Sequence, residues 1–332
     1  MRPAGRSEIV SRVEAFILGQ SDEVFGILAL DLHEWQRSHS QVTAALSAGE
    51  IATWRELPAV PVDLFKRVPV GTVPEGQGVA FATSGTTQGR RGVHRTWDTS
   101  LYDLGALRWA RACVPQLPER SHALLLDSDL HPDSSLSHMV DRLCAVQGWY
   151  LTETGVDIQA LEAALAAESG PVFVPCTAFA LAEWLERGTP QLPQGSVVMV
   201  TGGFKGRVRA FDAESVYVAA RRAFVGSDIV TEYGMTELSS QLWGVPGGPY
   251  RPPPWLKALA VDPISGEVLS TDQAGQLRFV DLCNVDSAVC IETLDAGVVH
   301  DDGSVTLHGR LAGSVARGCS LTVEEAWSRR SG

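Results

Sequence analysis

Two short runs hold most of the side chains capable of chemistry. The first is Phe81-Ala82-Thr83-Ser84-Gly85-Thr86-Thr87-Gln88-Gly89-Arg90-Arg91, in which a short apolar strand over residues 79–82 runs into small hydroxyl residues and glycines, then two arginines. Small consecutive residues let backbone N–H groups converge on an anion, the hydroxyls add donors and the arginines add charge. A triphosphate needs that combination, although an ordinary Gly/Ser/Thr turn has the same composition. No Gly-Lys-Ser/Thr follows at the required spacing, which sets aside a Walker loop and the kinase and P-loop ATPase classes. The second run is Thr231-Glu232-Tyr233-Gly234-Met235-Thr236-Glu237-Leu238, directly after Asp228-Ile229-Val230. Ligands bind at strand ends of open α/β sheets. Tyr233 can stack on a purine, Thr236 can bond a phosphate oxygen and Glu237 can hold magnesium. A helix start capped by Thr236 is the plain alternative.

Such runs need a scaffold. Residues 7 to about 50 carry apolar positions at three- and four-residue spacing, which predicts an N-terminal helical layer with a packing role. Apolar strand-like runs at 123–126, 171–174, 197–200 and 228–230 then alternate with helix-like stretches at 99–113, 156–168 and 211–224. That alternation predicts a mainly parallel sheet with crossover helices. Beyond Pro246-Gly247-Gly248-Pro249 short strands separated by turns predict an antiparallel β lobe over about 250–312. The expected class is α/β, a large body with mainly parallel sheets plus a β-rich lobe. The expected division is a helical layer over 1–60, a nucleotide-binding α/β body over 61–245, the lobe over 246–318 and a short tail over 319–332.

Composition narrows the partners. A formal net charge of −12 over 332 residues argues against nucleic acid or an anionic membrane, which need a wide attractive surface. Any phosphate is then held locally. Of the 27 cationic residues three are lysines, Lys66, Lys205 and Lys257, so each lysine is worth inspection. The six cysteines show no CxxC pair and read as reduced thiols; with no signal peptide and no run long enough for a membrane span, a cytoplasmic protein is expected.

Taken together, the two runs resemble the acyl-adenylate-forming superfamily, whose members share a Thr-Ser-Gly-Thr-Thr loop and a later Tyr-Gly-x-Thr-Glu motif. Within it the sequence is most similar to the acyl-protein synthetases, or luciferin-component ligases, of bacterial bioluminescence fatty-acid reductase complexes. That likeness rests on Pro61 to Lys66, His131 to Met139, Gly202 to Arg207, Glu232 to Gln241, and Gly309-Arg310 to Arg317-Gly318-Cys319-Ser320-Leu321. The resemblance implies ATP and magnesium, a carboxylic acid substrate, and transfer of the acyl group to a protein thiol, CoA or an amine. It places Ser84, Gly85, Thr86 and Thr87 over the β- and γ-phosphates with Arg90 or Arg91 assisting, Gly202, Gly203 and Tyr233 at the adenine, Thr236 at the α-phosphate and Glu237 on the metal. Asp295 is implied as a contact to the ribose hydroxyls and Arg310 as a second ribose or phosphate contact. Leu294-Asp295-Ala296-Gly297 is also a common turn sequence.

The sequence departs from the superfamily after Arg310, where 22 residues are too few for the small C-terminal lid that supplies a catalytic lysine. That lysine is expected to be replaced by Lys205, by arginines, by a partner chain or by nothing. Cys319, in a context matching the cysteine that takes the acyl group in the bioluminescence synthetases, is either a thiol acceptor near Arg317 or a small buried residue. Two other functions stay open: direct amide or ester formation with a small amine or alcohol, and a non-catalytic nucleotide-binding partner subunit.

Overall fold

The computed structural model describes residues 5–83, 90–189, 191–202 and 213–311. The N-terminal segment forms α1 (Arg6–Leu18), α2 (Phe25–His39) and α3 (Gln41–Leu46). Each helix buries one face, Ile9, Val13 and Ile17 from α1 and Leu28, Ala29 and Leu32 from α2, as the three- and four-residue spacing requires. Ser40 caps α3 by accepting from the Thr43 N–H. β1 (Val60–Pro61) and a 3-10 turn, Val62–Lys66, lead to the hairpin β2 (Val79–Ala82) and β3 (Val93–Thr96), followed by α4 (Ser100–Cys113).

The middle of the chain alternates. β4 (Arg120–Ala123), α5 (Ser135–Leu143) and β5 (Ala145–Trp149) come first, then the small hairpin β6 (Leu151–Thr152) and β7 (Gly155–Val156). α6 (Ile158–Ala166), β8 (Phe173–Thr177), α7 (Ala178–Arg187), β9 (Val197–Thr201), α8 (Ala213–Ala223), β10 (Asp228–Tyr233) and β11 (Leu242–Gly244) follow. Four longer strands close the described chain: β12 (Leu256–Val261), β13 (Ala274–Asp281), β14 (Cys290–Val299) and β15 (Val305–Arg310).

Two compact units result, Ala106–Gly234 with Gln241–Tyr250, and Met1–Gly105 with Met235–Ser240 and Arg251–Gly332. The second motif passes from one unit to the other between Gly234 and Met235.

The first unit is a six-stranded sheet in the order β11-β10-β9-β8-β4-β5, with every neighbouring pair parallel except β10 and β11. Its central strands β8 and β9 are almost wholly apolar because crossover helices cover the sheet; Trp184 of α7 is fully buried. The expected strand over 123–126 pairs instead over 120–123. Leu124 and Leu125 are buried, but only Leu124 continues as a bridge, to Cys176. Apolar runs report burial, and burial outlasts the hydrogen-bond ladder at this strand end.

In the other unit β12, β13, β14 and β15 pair antiparallel, and β1 joins β14 in parallel at Val60 and Ile291. The helical layer is tied to this sheet by buried polar contacts. Arg6 of α1 makes a two-pronged ion pair with Asp286, at 2.7 and 2.6 Å, in the connection between β13 and β14. Gln36 of α2 donates to the Asn284 and Val285 carbonyls and accepts from the Val289 N–H. Buried charge is tolerated only when paired in this way. Among the described residues no helix is long and apolar enough to cross a membrane.

Candidate functional site

The base of the Gly/Ser/Thr loop is held shut by its own backbone. The Thr83 N–H donates to the Gly92 carbonyl and the Gly92 N–H donates to the Thr83 hydroxyl, both at 2.9 Å, continuing the β2–β3 ladder. Arg91 adds Nε and Nη2 bonds to the Thr83 and Ala82 carbonyls at 2.6 and 3.0 Å. Its guanidinium therefore staples the loop base, and Arg90, exposed beside it, is the better candidate to meet an anion. Ser84, Gly85, Thr86 and Thr87 lie outside the described residues, as do Gly203, Lys205 and Cys319.

Against this base stands Glu237. Its carboxyl oxygen Oε1 and the Lys66 Cγ each lie 3.5 Å from the point a Gly92 Cβ would occupy, with Thr83 Cγ2 at 3.2 Å. A methyl at residue 92 would crowd the Thr83 methyl and touch the other two at ordinary contact distance. Burial pushes the Glu237 carboxyl above its ordinary range, while its own backbone N–H, Lys66 and Arg310 pull it back and Asp63 opposes them. A carboxylate in that position gains by neutralisation with a cation.

The Glu237 backbone is clamped from β13 and the turn after it. Asn284 Nδ2 donates to the Glu237 carbonyl at 3.0 Å, and Asn284 Oδ1 accepts from both the Ser239 N–H and hydroxyl. Asp281 accepts from the Ser239, Ser240 and Cys283 N–H groups and the Ser240 hydroxyl at 2.7–3.0 Å. Burial raises the Asp281 carboxyl to about 6 despite these four donors. On the other side, His94 Nδ1 bonds the Thr236 carbonyl at 2.6 Å, which requires the proton on Nδ1. Burial lowers the His94 pKa and keeps the ring neutral. Thr236 and Glu237 are thus fixed through their backbones.

Asp295 and Arg310 meet directly across β14 and β15, as a cross-strand pair with Nε and Oδ1 3.7 Å apart. The Arg310 side chain is 82% exposed. Among the described residues no group of three or more His, Cys, Asp or Glu side chains could hold a metal ion alone. Glu237 offers one buried carboxylate. Magnesium is bound by one or two carboxylates completed by phosphates and water, so this donor set fits it.

In the parallel sheet the carboxyl ends of three adjacent strands align, Thr177 of β8 opposite Thr201 of β9 and Thr201 opposite Glu232 of β10. The Thr201 hydroxyl donates to Glu232 Oε2 at 2.5 Å. Glu232 is fully enclosed, and burial raises its carboxyl to about 7. Its other oxygen lies 2.5 Å from where a Gly234 Cβ would stand, which explains glycine after Tyr233. Gly202, with φ of 76°, turns the chain out of β9 in a conformation only glycine adopts readily. Tyr233 packs edge-on to Tyr250 with ring centroids 6.0 Å apart and is half-buried.

Sequence reasoning missed Asp281, Asn284, His94 and the Thr201–Glu232 pair, and gave Lys66 little weight. The signal available for the first two was a strand ending in Asp281-Leu282-Cys283-Asn284, polar residues among apolar ones.

No protein-family model and no curated protein matches the sequence. Solved structures do share the fold. The O-succinylbenzoate coenzyme A synthetase MenE of Bacillus subtilis, in complex with ATP and magnesium ion, superposes with a TM-score of 0.52 at 15% identity over 72% of this chain and 51% of its own. ATP-bound MatB of Rhodopseudomonas palustris gives 0.50 at 15% identity over 72% and 50%, and VinN gives 0.50 at 16% over 73% and 63%. The chain spans about half the length of the first two. Its mixed α/β architecture, with a parallel sheet and crossover helices in one unit and a β-rich sheet in the other, is thus the fold these structures share.

Proposed function

We propose that this protein uses ATP and magnesium to activate a carboxylic acid as an acyl-adenylate and then passes the acyl group to a thiol or amine. The observation that carries the reading is the arrangement around the loop base. The base of the Gly/Ser/Thr run, paired at Thr83 and Gly92, adjoins a buried carboxylate whose backbone is clamped and whose charge is felt by Lys66 and Arg310. Such an array suits a polyphosphate with its metal. Fold-sharing structures that hold ATP, one with magnesium, support the same reading.

In the reaction a substrate carboxylate oxygen attacks the α-phosphorus, the bond from that phosphorus to the bridging oxygen breaks, and pyrophosphate leaves with the electron pair. Glu237 would hold magnesium, which when bound would supply charge neutralisation at the phosphates. Thr236 donates to an α-phosphate oxygen, and Arg90 and the loop hydroxyls of Ser84, Thr86 and Thr87 meet the β- and γ-phosphates. Asp295 accepts from ribose hydroxyls with Arg310 beside it. Gly202, Gly203 and Tyr233 keep the purine roles that the motif gives them. The chemistry is mainly positioning and electrostatic stabilisation.

In the second step a nucleophile attacks the acyl carbon and AMP departs. Cys319 is the proposed thiol, and Lys205 a proposed contact to phosphate or substrate carboxylate. Hydroxylamine trapping tests the first step: incubation with ATP, magnesium and a panel of aliphatic and aromatic acids yields a hydroxamate for the cognate class. A preparation that binds ATP but forms no hydroxamate from any acid would sink the reading.

A further inference from the structure

The sequence has three lysines, and one of them, Lys66, ends the 3-10 turn before β2 and reaches the loop base. The turn is anchored from below. Leu64 and Phe65 are buried, and the Phe65 ring packs edge-on to His94 at 6.1 Å, the same histidine that bonds the Thr236 carbonyl. Lys66 points the other way. Its side chain is 46% exposed and its ammonium donates to Asp63 Oδ1 at 2.9 Å. Its stem lies beside Gly92 together with the Glu237 carboxyl, and it is the largest external charge acting on that carboxyl.

This geometry explains three features at once. At Gly92 the Lys66 stem and the Glu237 carboxyl come to the same point of the loop base, each 3.5 Å from where a Cβ would stand. Asp63, three residues before Lys66, holds the ammonium near the loop base by an exposed ion pair that contributes little to stability and is given up readily. Rigid anchoring through Phe65, His94 and Thr236 links the lysine's turn to the segment that carries Glu237.

We infer that Lys66 is a catalytic residue: it leaves Asp63 for a phosphoryl oxygen of bound ATP and neutralises the charge that builds on the phosphorus as the carboxylate attacks. The inference rests on the adenylation reading for its chemistry, but its binding component is separable. No bond to Lys66 forms or breaks, and its proton stays on the ammonium.

Two measurements on the full chain test it. The first is acetylation by an N-hydroxysuccinimide ester, read by peptide mass spectrometry with and without magnesium and a non-hydrolysable ATP analogue. Labelling of Lys66 is expected to fall about tenfold or more under saturating analogue, while Lys257, whose ammonium lies over the Phe25 ring 5.7 Å from its centroid, serves as the internal reference and changes little. The second is acid-dependent exchange of pyrophosphate into ATP by Lys66→Ala and Lys66→Arg. The alanine variant should lose about 10²–10³-fold, as for one removed transition-state donor, and arginine should restore at least tenfold. Equal labelling of Lys66 with and without analogue overturns the inference, and so does an alanine variant with unchanged exchange, both leaving adenylation in place. Protection of Lys66 in a protein that exchanges with no acid supports the phosphate contact and sinks the adenylation reading instead.

Discussion

Glu232→Gln keeps the size and planarity of a side chain enclosed at the end of β10 and removes its charge. In the folded protein burial raises this carboxyl from 4.5 to about 7, against the opposing pull of the Thr201 hydroxyl. In the unfolded chain it titrates near its ordinary value. Between those limits the folded state holds a proton that the unfolded state has released, so stability falls as pH rises. The penalty is absent below 4.5 and complete once the pH passes about 7. At about 1.4 kcal/mol per pH unit, the gap amounts to about 3 kcal/mol. Glutamine carries no such penalty. Relative to wild type, the variant should therefore gain about 3 kcal/mol between about pH 4.5 and about pH 8, on top of any constant change from its altered bond to Thr201. Urea denaturation followed by tryptophan fluorescence at the two pH values reads this directly. A difference between variant and wild type that is the same at both would refute the claim that Glu232 is held protonated by its surroundings.

Other changes probe the remaining parts of the account. Glu237→Gln should leave the fold intact and lower magnesium-dependent pyrophosphate exchange by about 10²-fold or more; unchanged exchange at limiting magnesium removes Glu237 from the metal. Asn284→Ala takes a partner from the Glu237 carbonyl and the Ser239 hydroxyl in a buried place, and should cost about 1–3 kcal/mol in thermal or chemical denaturation; a loss well under that would show the clamp to be dispensable. With ATP, magnesium and the cognate acid, the wild-type chain should gain a covalent mass equal to the acyl group, labile to neutral hydroxylamine and missing in Cys319→Ser; acyl-adenylate formed without any adduct on the intact protein would mean direct transfer to an external acceptor.

The alternation of strands and helices was legible because fully buried strands such as Val197–Thr201 are nearly continuous apolar runs. Strand limits were less so, as Leu124 and Leu125 show, since burial and pairing end at different residues. Glu237 stood out by its motif. Glu232, five residues earlier, carried no role in the motif, and its importance depends on Thr201 lying opposite in a neighbouring strand, a fact fixed by sheet order. Asp281 and Asn284 were hidden for the same reason: their partners at 237–240 lie more than 40 residues away. Asp295 and Arg310 came from the family pattern, and spacing alone gave no reason to pair them; the register of β14 with β15, interrupted by a bulge at Ala296/Gly297, places them side by side. Lys66 attracted notice through the scarcity of lysines and as the end of the Pro61–Lys66 run, and its stem lies next to Gly92 and the Glu237 carboxyl only once the turn is folded against the loop base.

The central claim is adenylation, and isotope exchange tests it most directly. Purified protein is incubated with ATP, magnesium and labelled pyrophosphate in the presence of single carboxylic acids, and label entering ATP is counted. The account predicts exchange that requires both magnesium and one class of acid, and that Glu237→Gln largely removes. Tight ATP binding without exchange under any acid would contradict it and leave a nucleotide-binding subunit as the function of this fold.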